Sequence, residues 1–174
     1  MSKTTRAKAK RANASKRFAR AKPAAARIEV QVDARYRAQI RATLLRAAAR
    51  AALEAQGVRR ATALTIVISG DARLRKLNRT FTGIDAPTDV LSFASQDEHA
   101  AYLGDVVISF MRAREQARRD GHALVDELRL LVIHGVLHLL GHDHHYATEK
   151  KRMWAVQAKA LKKAGASISG PQPQ

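Results

Sequence analysis

Residues 124–145 read LVDELRLLVIHGVLHLLGHDHH. From Leu124 to Leu140 the segment is apolar almost all round, with Leu128, Leu130, Leu131, Val132, Ile133, Val136, Leu137, Leu139 and Leu140 spread over every face of a helix. Such a helix has no side to offer water and sits at the centre of a domain. His134 and His138 interrupt it four residues apart, so both imidazoles leave the same face. Gly141 supplies a residue that can take the left-handed conformation and turn the chain back, and His144 follows three residues later. The spacing lets His134 and His138 share one metal ion, with His144 returned by the turn as a third ligand. Three neutral imidazoles and one open position describe a catalytic zinc site, holding one Zn2+ ion, rather than a closed structural one. The competing readings are a hydrogen-bonded histidine pair in the core and a structural metal; unpaired imidazoles in so apolar a helix are costly. His142 and His145 read as solvent-facing, with a ligand role as the alternative for each. Asp143 reads as an acceptor for an imidazole, as a base beside a bound water, or as a turn residue.

Gly135 matters for what it lacks. Zinc proteases of the His-Glu-x-x-His type carry their glutamate base beside the first ligand, and a glycine there argues against a metallopeptidase. Around this central helix the remaining periodicities fall into place. Residues 27–32 alternate as a strand, and Asp33 caps a helix running to about Gln56, with Ile40, Leu44, Leu45 and Leu53 on its apolar side. Residues 62–69, 88–94 and 103–109 are β-rich strands. Asp71 caps a short helix containing Leu74 and Leu77, and 80–87, with Gly83 and Pro87, reads as a loop. Residues 110–120 and 147–164 complete the helices, the last with Met153, Trp154, Val156 and Leu161 inward. The order predicts an α/β (α+β) single domain: one four-stranded mixed sheet packed by about five helices.

The chain has 174 residues, one ordinary domain's worth, and no cysteine, which excludes disulfides, thiolate metal sites and a cysteine nucleophile. No apolar run approaches the ~18 residues of a membrane span, so no membrane partner is expected. Thirty-two Lys and Arg against fifteen Asp and Glu give a net charge of +17, which points first to nucleic acid and second to an anionic membrane surface. Residues 1–26 carry nine basic side chains, from Lys3 to Lys22, and no acidic one. With little to bury, they read as a disordered basic extension: a solvated tail, a phosphate-binding arm or an organellar transit segment. Residues 166–174 read as a flexible tail. With three Tyr, four Phe and one Trp, no base-stacking platform is evident, and RNA recognition would rest on phosphates.

Three motifs carry a resemblance. His-Gly-x-Leu-His-Leu-x-Gly-x-Asp-His at 134–144, Asp-x-Pro-Thr-Asp-Val-Leu-Ser-Phe at 85–93 and Leu-Gly-Asp-x-Val-Ile-Ser at 103–109 resemble the YbeY family of metal-dependent endoribonucleases. Leu77-Asn78, Glu149 and Met153 fit the same pattern, and the similarity covers about residues 27–165. It implies a single-strand-specific endoribonuclease of the cytoplasm, acting in ribosomal RNA processing at the 3′ end of the small-subunit RNA and in ribosome quality control. It also implies partners in RNA, the ribosome and ribosomal proteins, and a metal cleft resembling the metzincin core. The family's zinc ligands match His134, His138 and His144. Thr82 stands where the family usually has an arginine thought to serve the phosphate. That departure motivates an alternative reading, a metal-bearing RNA-binding module with weak or no catalysis.

A cation at such a site either acidifies a water or polarises a phosphoryl oxygen while the ribose 2′-OH attacks, and the residues leave both routes open. Asp143 is the candidate proton acceptor. Arg79 is a candidate for charge stabilisation, and Arg79 with Lys76 for RNA binding, the alternative for both being solvated helix charges. Thr88 and Asp89 can face the cleft. Asp85 can instead cap the turn before Pro87, Asp105 can pair with a base or end a turn, and Ser92 and Phe93 read as packing residues.

Overall fold

The alternating and β-branched stretches pair into one sheet in a computed structural model, which describes residues 26–58, 62–97, 101–143 and 146–168. The strands are Arg27–Val32 (β1), Ala63–Ser69 (β2), Val90–Ala94 (β3) and Tyr102–Ser109 (β4). Their order is β1-β2-β4-β3. β1, β2 and β4 are parallel, and β3 lies antiparallel to β4 along one edge. Central β2 and β4 are covered on both faces and accordingly read as near-continuous apolar runs.

The two-residue period sorts their side chains. Leu64, Ile66, Ile68, Val106 and Ile108 face the main core with the helices Ala42–Ala55 (α1), Leu124–Leu139 (α4) and Ala147–Lys163 (α5). Val67 and Val107 face the other way, towards Leu74 and Leu77 of Asp71–Thr82 (α2) and towards Leu91 and Phe93. Phe110–Arg119 (α3) follows β4 directly and packs against α4. The expected mixed four-stranded sheet with its covering helices is therefore present. As expected, α4 is central: it contacts α1, α3, α5, β3 and β4.

Several local features differ from the sequence reading. Asp71, expected to cap α2, lies in its first turn after Gly70, and its carboxylate accepts from the Ser109 hydroxyl. β3 begins at Val90 rather than at residue 88. The helix expected from Asp33 to Gln56 is two pieces, a 3-10 helix Ala34–Gln39 and then α1. Asp33 does cap the first piece, accepting from the Arg35 amide. Ile40 is extended (φ −122°, ψ 126°), and that break lets Tyr36 stack on Phe110, ring centroids 4.4 Å apart, while Ile40 also reaches the core. α2 runs on through Thr80 to Thr82, where the sequence predicts the start of a loop. Thr80 and Thr82 turn their hydroxyls back to the carbonyls of Lys76 and Asn78, satisfying in the helix the side chains that usually compete with it. Ala166 and Ile168, expected in the flexible tail, lie against the main core, and the Ser167 amide donates to buried Asp126. The rest of that tail, 169–174, and residues 1–25 of the basic extension lie outside the described residues.

Candidate active site

The position of α4 is set by a residue with no side chain. A Cβ on Gly135 would come within 2.4 Å of Val106 Cγ1 and 3.1 Å of Ser92 Oγ. Helix and sheet approach closely here, and Ser92 donates from its hydroxyl to the Gly135 carbonyl at 3.1 Å. No glutamate fits at this position on this backbone, in keeping with the case against a protease.

On the same helix, His134 and His138 bring their imidazoles together. The Nε2 atoms of these two residues approach to 3.1 Å, with their rings at 72° and centroids 4.7 Å apart. The 3.1 Å separation is that of a hydrogen bond between the two rings, and it is also close to the ~3.3 Å between two nitrogens bound tetrahedrally to one zinc at about 2.0–2.1 Å. α4 ends as its sequence predicts. Gly141 is left-handed at φ +83°, its amide bonds the His138 carbonyl, and the His142 amide bonds the Leu137 carbonyl, the paired bonds of a Schellman turn. The turn keeps residues 141–143 on the cleft that holds the two imidazoles. His144, the third expected ligand, lies outside the described residues, as does His145. Among the described residues no other histidine or carboxylate completes a set of three.

The histidine pair opens into a cleft of about 600 Å³. One wall is the edge strand β3 with Thr88 and Asp89 before it, and the other is α4 and residues 141–143, so Asp143 shares the cleft with both imidazoles. Asp89 serves the rim: its carboxylate accepts from the Val90 amide at 2.8 Å, the Thr88 hydroxyl at 3.2 Å and Gln116 Nε2 of α3 at 2.9 Å. The other acidic candidates are tied elsewhere. Asp85 is gripped by the Arg75 guanidinium through two 2.8 Å bonds, which hold its carboxyl below the usual range. Asp105 accepts from the Tyr102 hydroxyl at 2.6 Å. Lys76 and Arg79 lie on α2 and do not line the cleft. Thr82 donates its hydroxyl to Asn78 at 2.7 Å and is turned onto its own helix.

Two glutamines join the site without a place in the sequence reading. Gln157 of α5 is 1% exposed, and its Oε1 lies 3.1 Å from His134 Nδ1. A signal for it exists: Gln157 interrupts the inward stripe Met153–Gln157–Leu161 at helical spacing. Gln56, just past α1, bonds His142 Nε2. His142 is therefore half-buried on the cleft wall rather than solvent-facing, and burial first, then the charge of Arg152, lowers its pKa. Nothing local in the sequence announces a pair separated by 86 positions.

The family described as Endoribonuclease YbeY matches residues 27–165. A protein of Roseiflexus castenholzii named Endoribonuclease YbeY is 45% identical over 125 residues, 67% of this chain and 79% of its own length. One from Roseiflexus sp. with the same name is 38% identical over 150 residues, 80% of this chain and 94% of its own. One from Pelotomaculum thermopropionicum is 46% identical over 117 residues, 63% and 77% of the two chains. Among solved structures, TM1509 from Thermotoga maritima is similar with a TM-score of 0.56 at 26% identity, over 79% of this chain and 88% of that one.

Proposed function

The chain belongs to the YbeY family of endoribonucleases, and on that premise we propose that it cleaves single-stranded RNA at one zinc ion held by His134, His138 and His144. The observation that carries this reading is the approach of two imidazole Nε2 atoms to 3.1 Å inside an open cleft. A bound divalent cation supplies positive charge for a phosphoryl oxygen and lowers the pKa of nearby water. The chain's own residues do the rest. His134 and His138 hold their nitrogens in place because Gly135, between them, is clamped to β4 and Ser92. Asp143, on the cleft wall, takes the proton of the attacking group. Thr88 and Asp89 shape the rim along which the strand lies. Lys76 and Arg79 on α2, with the basic residues of 1–26, hold phosphates outside the cleft. The substrate is ribosomal RNA in the cytoplasm, at the 3′ end of the small-subunit RNA, with ribosomal protein contacts and a role in ribosome quality control. Among the described residues no helix is long and apolar enough to cross a membrane.

One observation favours a second reading, an RNA-binding module with weak turnover. Thr82 stands where the family usually carries arginine, and its hydroxyl is spent on Asn78. A single assay separates the two. Purified protein is incubated with single-stranded ribosomal RNA, with and without a chelator, beside His134→Ala. Cleavage that stops with chelator and with the substitution supports the nuclease. Tight binding without turnover supports the module, and cleavage that survives the substitution contradicts the proposed site.

A further inference from the structure

Building on the metal site proposed above, we infer that Gln157 is a positioning residue that sets the tautomer of His134 and so makes the site competent for metal. A neutral imidazole carries one proton, and the nitrogen without it binds the cation. For His134 the metal-facing atom is Nε2, which points at His138 Nε2 across 3.1 Å. Its proton must then sit on Nδ1, where Gln157 Oε1 lies 3.1 Å away as an acceptor. The reverse arrangement, with the carboxamide NH2 towards Nδ1, would move the imidazole proton onto Nε2 and aim an N–H at the position of the cation. The orientation of one buried amide thus selects between a ligand and a blocked site.

Gln157 is well placed for this task. It is 1% exposed, between Met153 and Leu161, each 0% exposed. Its side chain therefore reaches His134 from within the α4–α5 interface, where little solvent competes for Nδ1. Burying a carboxamide in an apolar seam is unfavourable unless it is hydrogen-bonded, and a Leu or Met would suit mere packing equally well. Outer hydrogen bonds of this kind orient metal-binding imidazoles, and their loss typically costs about 10–100-fold in metal affinity.

The test compares zinc affinity, by competition with a fluorescent chelator at neutral pH, for the wild type, Gln157→Met, Gln157→Glu and His134→Ala. It is run beside 15N NMR of the metal-free protein to read the His134 tautomer. Gln157→Met keeps the volume and removes the acceptor: affinity falls about 10–100-fold and the Nδ1–H form loses its dominance. Gln157→Glu can accept from Nδ1–H, and retains affinity within a few-fold of wild type. Wild-type affinity in Gln157→Met, or an equal loss in Gln157→Glu, overturns the inference. So does an Nε2–H tautomer in the wild type, whether or not the variants fold. If His134→Ala abolishes zinc binding while Gln157→Met leaves it intact, only the inference fails. If His134→Ala binds zinc as the wild type does, the metal site fails and the inference with it.

Discussion

At the level of single residues, Gly135 sets the packing of α4 on the sheet, and His134 and His138 on the same helix carry the proposed chemistry. Val106 leaves no room for a side chain at 135, so Gly135→Ala is expected to force α4 off the sheet at a cost of ~1–3 kcal/mol, as overpacking typically does. Urea unfolding measures it, and a variant as stable as the wild type would show that the helix is free to shift. His138→Ala has the opposite profile. It removes half of the Nε2 pair, and RNA cleavage should drop by more than the roughly 10–100-fold expected from losing an outer partner. Because His138 is only partly buried, circular dichroism should show the fold retained. Cleavage close to the wild-type rate would mean that the ion is held elsewhere.

The helices and strands show where local sequence suffices. α4 is legible because composition, spacing and a terminal glycine all agree: an all-round apolar helix, two histidines four apart, and a left-handed stop at Gly141. The central strands are legible because β2 and β4 are near-continuous apolar runs rich in Val, Ile and Leu. What sequence periodicity misses depends on partners far along the chain. The 3-10 break at Ile40 lets Tyr36 meet Phe110, and Gln56 acquires meaning only beside His142. Gln157 does show in the sequence, as a polar break in an apolar stripe, but its partner His134 is found only in the fold. α4 also makes a pH prediction at its N-terminal end. Glu127 is 3% exposed and bonded to His122 at 2.6 Å. Burial raises its pKa more than the His122 bond and charge lower it, and the nearby acids Asp120 and Asp89 add to the rise. Above the unfolded carboxyl value of 4.5, the folded state therefore holds more protons than the unfolded one until the raised value is passed. Stability contributed by this group falls as pH rises through that window. Urea titrations across it should show the decline in the wild type and its loss in Glu127→Gln; identical profiles would remove Glu127 as the cause.

For the molecule as a whole, the surplus of +17 is expected to govern how RNA arrives rather than where it is cut. Nine of the basic side chains lie in residues 1–26, outside the family match that begins at 27. A chain lacking 1–26 should bind single-stranded RNA more weakly whatever its sequence. The slope of log affinity against log salt should shrink by about 0.7 for every phosphate that the arm no longer neutralises. Fluorescence anisotropy on the cleavage-deficient His138→Ala background measures this, and an unchanged slope would make the arm a bystander. In the proposed site three imidazoles, two from α4 and one from the turn beyond it, grip a single ion. An anomalous difference map at the zinc absorption edge, from crystals of the full chain grown with zinc, tests it. One peak should stand about 2.0–2.1 Å from Nε2 of His134 and His138 and from a nitrogen of His144. A map with no peak between those rings, or with His144 turned away from it, would contradict the proposition.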